Sequence, residues 1–275
     1  MPIRPPAVAG SWYPDSAAAL AAAVDAHLAH AAGDAGDPAG DLVALIAPHA
    51  GLVYSGPVAA YAYGLLRRQP FDVAILVGPS HFVGFDGVAS YPSGSFETPF
   101  GPLLIDEALA ADLGRHAVVR PLTAVHGREH SLEMQLPFLQ RLAPDASIVP
   151  LLVGHQTAET AVELGAAIAE VVRAANRRVL LVASSDLSHY QDAATAARLD
   201  AVVIDCVSRL DADGLQRALD ERPDHACGGG PMVAVMRAAH ALGATSGAVL
   251  HYADSGDVSG DKSSVVGYLA AALMK

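Results

Sequence analysis

Twelve histidines occur in the 275 residues, and three of them stand beside proline, serine or aspartate at the ends of apolar runs. His49 lies in Ala47-Pro48-His49-Ala50-Gly51, His81 closes Gly78-Pro79-Ser80-His81, and His189 belongs to Ser184-Ser185-Asp186-Leu187-Ser188-His189-Tyr190. Proline stiffens the first two turns, and the small neighbours of His49 leave space beside its ring. Neutral imidazoles on short rigid loops suit a borderline transition metal. Taken singly, each histidine is more simply read as a structural residue bonded to a backbone carbonyl. The same placement at three strand ends is what points to one shared site.

Cys227 precedes Gly228-Gly229-Gly230-Pro231. The glycines let backbone approach a neighbour closely, and Pro231 suits the first turn of a helix. A thiol at a helix N-terminus is expected to favour thiolate, which is both nucleophile and metal ligand. The other cysteine, Cys206 in Val202-Val203-Ile204-Asp205-Cys206-Val207, has core-like neighbours and reads as inert and buried. Asp186 and His189 are three apart, so a turn can present both on one side. A carboxylate near an imidazole raises its basicity and orients it, which suits a general acid–base; helix capping is the plain alternative. In Glu129-His130-Ser131-Leu132 the polarity is too high for a buried helix face, so His130 is a pocket candidate, with capping by Ser131 as the alternative.

The elements that must position these residues follow from patterning. Strands are expected at Leu42–Ile46, Val73–Val77, Ile148–Val153, Val179–Ala183, Ala248–Tyr252 and Val265–Leu269, with Pro150 marking an edge or an irregularity. Helices are expected at Ala17–Ala32, from Ser55-Pro57 to about Arg68, Asp106–Arg115, Ser131–Leu142 with a break at Pro137, Ala158–Ala175, Ala193–Arg209, Asp213–Ala218, and from Cys227-Pro231 to about Leu242. Gly33–Asp41 reads as a turn-rich connector and Gly87–Ile105 as holding a hairpin. Continuous apolar strands alternating with helices predict an α/β fold, a single domain over residues 1–275 with a largely parallel central sheet flanked by helices. Ligand crevices in such sheets form at the carboxyl ends of strands, where the three histidines stand.

Composition narrows the function. With 17 Lys+Arg against 29 Asp+Glu the formal charge is −12, which repels polyphosphate and argues against general nucleic-acid binding. Charged residues make up 17% and apolar residues 52%, a composition for a packed core rather than wholesale disorder. No apolar run reaches the roughly 18–20 residues of a membrane span. The opening Met1-Pro2-Ile3-Arg4-Pro5-Pro6 lacks the apolar stretch of a secretory signal. With two cysteines, no disulfide scaffold is expected, and a reducing cytoplasm is the expected compartment.

Several motifs in order resemble one family. Pro6-Ala7-Val8-Ala9-Gly10-Ser11-Trp12-Tyr13-Pro14, Ala47-Pro48-His49-Ala50-Gly51-Leu52-Val53-Tyr54-Ser55-Gly56, Gly78-Pro79-Ser80-His81, Glu129 to Phe138, Ser184 to Tyr190 and Cys227 to Pro231 look like the MEMO family across essentially the whole chain. The resemblance implies a fold similar to the class III extradiol ring-cleavage dioxygenases, which hold non-haem Fe(II) with two His and one Glu. In the MEMO family the matching positions are two His and one Cys, which makes His49, His81 and Cys227 the implied metal ligands. It implies that His189 is the acid–base, with Asp186 beside it, and that Trp12, Tyr54 and His130 are pocket residues. Fe(II) is the first expectation for the metal, and Cu or Zn the alternatives, because thiolate in place of carboxylate softens the site. The resemblance also implies a pathway link to a radical-SAM protein.

Three functions remain open on this reading. The first is a non-haem iron-type oxidoreductase, dioxygenase-like, acting on a small molecule. The second is a zinc hydrolase with the same ligands. The third is a metal- or peptide-binding adaptor without turnover.

Overall fold

The computed structural model describes residues 2–34 and 39–275; residues 35–38 of the expected Gly33–Asp41 connector, and Met1, lie outside the described residues. Four apolar runs form the parallel centre: β2 (Leu42–Ala47), β9 (Val179–Ser184), β3 (Val73–Pro79) and β8 (Ser147–Val153), adjacent in that order. Nearly every residue in them is buried, as continuous apolar strands covered on both faces must be. Among the described residues this sheet has nine strands. On one side β12 (Val265–Met274) runs antiparallel to β2 and also pairs with β10 (His189–Gln191) and β11 (Ser246–Asp254). On the other side β4 (Val88–Ser90) runs antiparallel to β8 and parallel to β7 (Val119–Pro121). The expected parallel core is present, within a mixed sheet.

Helices cover both faces. They are α1 (Ala17–Asp34), α2 (Leu52–Gly64), α3 (Glu107–Leu113), α4 (Leu136–Leu142), α5 (Ala158–Ala174), α6 (Ala193–Ser208), α7 (Ala212–Glu221), α8 (Gly229–Ala241) and the single turn α9 (Gly256–Ser259). Side-chain caps fix several starts: Asp106, Thr157, Asp192 and Asp211 each accept an N–H from the first turn of α3, α5, α6 and α7. One apolar core joins α1, α2, α8 and the central strands.

One expectation is refined and one corrected. Of the edge or irregularity expected at Pro150, the irregularity is found, since β8 is flanked by β3 and β4. On the β4 side, pairing passes from Ser90↔Leu151 to the isolated bridge Ile105↔Ile148, so Pro150 falls in the interval between partners. The helix expected from Ser55 begins at Leu52, and Pro57 lies inside it. Gly51, not Ser55, is its N-cap, and the Ser55 hydroxyl donates to the Ala50 carbonyl at 2.8 Å.

A small sheet carries the N-terminal arm. β1 (Ile3–Arg4) pairs with β5 (Ser95–Thr98), which forms the expected hairpin with β6 (Gly101–Leu104). Buried Glu133 holds the arm in place. Its carboxylate pairs with Arg4 and accepts the Ala7 N–H at 2.8 Å, the Val8 N–H at 3.0 Å and the Tyr13 hydroxyl at 2.6 Å. The arm therefore delivers Trp12 to the sheet's carboxyl edge.

Candidate metal centre

β2 ends two residues before His49 and β3 two residues before His81. β9 runs into Asp186, and β10 begins at His189. Cys227 precedes α8, and Gly228 keeps its loop against β9: a Cβ there would come 2.5 Å from the Ser184 carbonyl oxygen. Trp12, His49, His81, His130, Asp186, His189 and Cys227, far apart in sequence, line one cavity of about 380 Å³, which Ala50, Tyr190 and Val266 complete. Tyr54 is not among its walls. It lies on the first turn of α2 and is exposed to solvent.

Hydrogen bonds settle which nitrogen each ring offers. His49 Nδ1 is 2.9 Å from Ser184 Oγ. The Ser184 hydroxyl donates its one hydrogen to the Ser131 carbonyl at 2.7 Å, so it must accept from His49 Nδ1–H and, at 2.7 Å, from Gln135 Nε2. The Nε2 lone pair of His49 is left facing Cys227 Sγ at 3.2 Å. His81 Nδ1–H donates to Glu129 Oε1 at 2.9 Å, and its backbone N–H to Oε2 at 2.6 Å. His189 Nδ1–H donates to the Leu187 carbonyl at 2.8 Å. All three rings commit Nδ1 to a partner outside the cavity, the arrangement that outer-shell partners impose on ligating histidines.

Burial sets the charges. It holds the His49 imidazole well below the usual histidine range, helped by His81 and His130 nearby. It pushes His130 down to about 4. It lifts Asp186 up to about 6, although the His49 N–H donated to its Oδ1 at 2.7 Å works the other way. Burial also opposes ionisation of Glu129, but the His81 and Ser131 donors outweigh it and draw the carboxyl down to about 2. For Cys227 burial dominates, followed by the nearby Asp186 carboxylate, and the thiol is pushed far up. In the metal-free protein these effects oppose the thiolate expected from the helix end. Asp186 spends Oδ1 on the His49 backbone, and the Leu187 carbonyl, not Asp186, orients His189.

Two sets of donors compete. One donor atom from each of His49, His81 and His130 lies within 4.8 Å of the others. The His81 and His130 rings, however, are stacked, with centroids 4.5 Å apart and planes 15° apart. An imidazole binds a metal in its own ring plane, and one ion cannot lie in two stacked planes. Cys227 lies beside the His49 Nε2, although its sulfur is not among the donor atoms that lie within 4.8 Å of one another. His130 is instead packed under Trp12, with ring centroids 4.3 Å apart.

Three supporting residues escaped sequence reasoning. Glu129 holds His81, Ser184 holds His49, and Gln156 clamps the Cys227 loop. Gln156 donates from Nε2 to the Cys227 carbonyl at 2.8 Å and accepts the Gly230 N–H at 2.8 Å. A buried acid inside a His-containing block was the available signal for Glu129; Gln156 offered none.

These features define an α/β protein with a histidine-rich cavity at the carboxyl edge of a parallel sheet. A family model described as Memo-like protein matches residues 4–272. The chain is 40% identical over 231 residues to a MEMO1 family protein of Methanosarcina barkeri, covering 84% of this chain and 86% of that one. It is 38% identical over 271 residues to one of Methanosarcina acetivorans, 98% of each chain, and 36% identical over 271 residues to one of Nitrosopumilus maritimus, 97% and 98% of the two. The chain belongs to the MEMO family. Its fold is also similar to the crystal structure of an uncharacterized protein from Escherichia coli K12, with a TM-score of 0.57, 16% identity, and coverage of 83% of this chain and 99% of that one. No helix among the described residues is long and apolar enough to cross a membrane.

Proposed function

We propose that the cavity is a mononuclear transition-metal site held by His49, His81 and Cys227, at which a small molecule undergoes non-haem iron-type oxidoreductase chemistry. The observation that carries this reading is the commitment of Nδ1 in both histidines to Ser184 and Glu129, which leaves two Nε2 lone pairs on the cavity and one of them 3.2 Å from the Cys227 sulfur. Such an ion would polarise a bound substrate and, as iron, open redox chemistry. His189 would hold or move the proton at its Nε2, with its ring fixed by Leu187. Asp186, buried and raised toward neutrality, would hold a proton within the same walls. Trp12 and His130 would contact the substrate.

One observation favours zinc or copper over iron: the third donor is a thiol rather than a carboxylate. Metal content after anaerobic purification, in the parent and in His49→Ala, His81→Ala and Cys227→Ala, tests the proposal. Each substitution should strip most of the metal while the fold survives, and Cys206→Ala should strip none. Full occupancy in both His49→Ala and Cys227→Ala would sink the ligand assignment.

A further inference from the structure

β10 and β12 pair at His189↔Val266 and Gln191↔Val265, with the register shifted between them, so Tyr190 is the extra residue of a β-bulge. Its φ is +62°, and among the described residues only Leu210 shares a positive φ without being glycine. Glycine is the default at such a position, because a Cβ there meets the backbone. A bulky aromatic in this region is strained, and strain of this kind persists where function rewards it.

Among the described residues no hydrogen bond or ion pair holds the Tyr190 side chain. It is 78% exposed, and its hydroxyl makes no hydrogen bond among the described residues. Among the described residues its one aromatic ring partner is His189, at 5.5 Å between centroids and 72°. Yet Tyr190 lines the cavity, together with Trp12, which is 37% exposed on the same walls. Donors form the cavity floor: imidazole nitrogens, a thiol and a carboxyl. Two exposed aromatic faces, Trp12 and Tyr190, join them.

We propose that Tyr190 is the specificity-determining residue of this cavity, its strained bulge holding the ring where it contacts the flat, unsaturated body of a ligand whose donor atoms reach the floor. The inference rests on the reading of the cavity as a metal site. The bulge serves both neighbours, since it sets His189 into the cavity wall while placing the tyrosine ring beside it.

The test compares two metal-binding probes that differ only in a ring, benzohydroxamate and acetohydroxamate, with the zinc-loaded full-length protein. The single tryptophan, Trp12, reports binding by its fluorescence. An aromatic contact is worth a factor of roughly 3–10 in affinity. Tyr190→Gly and Tyr190→Asn should weaken benzohydroxamate by that factor and leave acetohydroxamate unchanged, and Tyr190→Phe should retain the ring preference. Because glycine and asparagine tolerate this backbone, neither variant should lower Tm, and Tyr190→Gly should raise it by about 1–3 °C. An unchanged preference for the ringed probe in Tyr190→Gly would overturn the assignment of Tyr190 alone. A fall in Tm would also overturn it, by making the ring a packing element. Failure of both probes to bind zinc-loaded protein would overturn the metal reading, and the proposal with it.

Discussion

Glu129→Gln is the substitution whose consequences can be worked furthest. The buried carboxylate receives four N–H groups: the ring and backbone of His81, and the backbones of His130 and Ser131. Its carboxyl is held at about 2 against a usual 4.5. That gap of about 2.5 units corresponds to about 3 kcal/mol in favour of the ionised form. A glutamine brings one acceptor oxygen with two lone pairs and turns an NH₂ toward the remaining donors. The fold should lose about 2–3 kcal/mol, or about 4–6 °C in Tm. His81 should lose its orientation, and an outer-shell loss of this kind costs roughly 10–100-fold in metal affinity. The assay is competitive titration of zinc against a chelator, beside a thermal melt. Glu129→Asp, which keeps the charge, should fall between parent and Gln variant in affinity. A Gln variant with lowered Tm and parental zinc affinity would refute the claim that Glu129 acts through His81.

Ser184→Ala removes the acceptor of His49 Nδ1–H and of one Gln135 N–H, and the donor to the Ser131 carbonyl; zinc affinity should fall about tenfold by the same titration, and stability by about 1–3 kcal/mol. His126 is buried against Tyr91 and Phe96, beside the Ala89 backbone. Burial, then the Arg4 charge, pushes it down to about 3. Its neutral form is native, so its contribution is complete above the unfolded value near 6.5. That contribution drains away as pH falls toward 3, by up to about 1.4 kcal/mol per pH unit. His126→Leu should flatten the decline in denaturant-measured stability between pH 6.5 and 4.5; an unchanged slope would clear His126 of that role. In metal-free protein, alkylation of Cys227 by iodoacetamide should rise with pH without a plateau between pH 6 and 9, because burial keeps the thiol protonated. A plateau near pH 7, read by peptide mass spectrometry, would show that the helix end prevails.

The parallel core was legible because Leu42–Ile46, Val73–Val77 and Val179–Ala183 are continuous apolar runs, and their carboxyl ends announced His49, His81 and Asp186. Cys227 stood out by its glycines. Topology hid the rest. Only the fold places Glu129 against His81, or Gln156 across the Cys227 loop. Tyr54, implied only by the resemblance, lies on the first turn of α2 with its ring exposed. Spacing reveals the helix end beside Cys227 but not the desolvation that opposes its ionisation. Tyr190 gave no sign of strain, since a left-handed φ at tyrosine has no signature in its neighbours.

The central claim is that Cys227, not His130, completes the set begun by His49 and His81. X-ray absorption at the metal edge of the anaerobically loaded protein tests it most directly, in the parent, Cys227→Ala and His130→Ala. The account predicts one sulfur among the donors in the parent, unchanged in His130→Ala and absent in Cys227→Ala. A parent site made only of nitrogen and oxygen donors, with metal lost in His130→Ala and kept in Cys227→Ala, would contradict it.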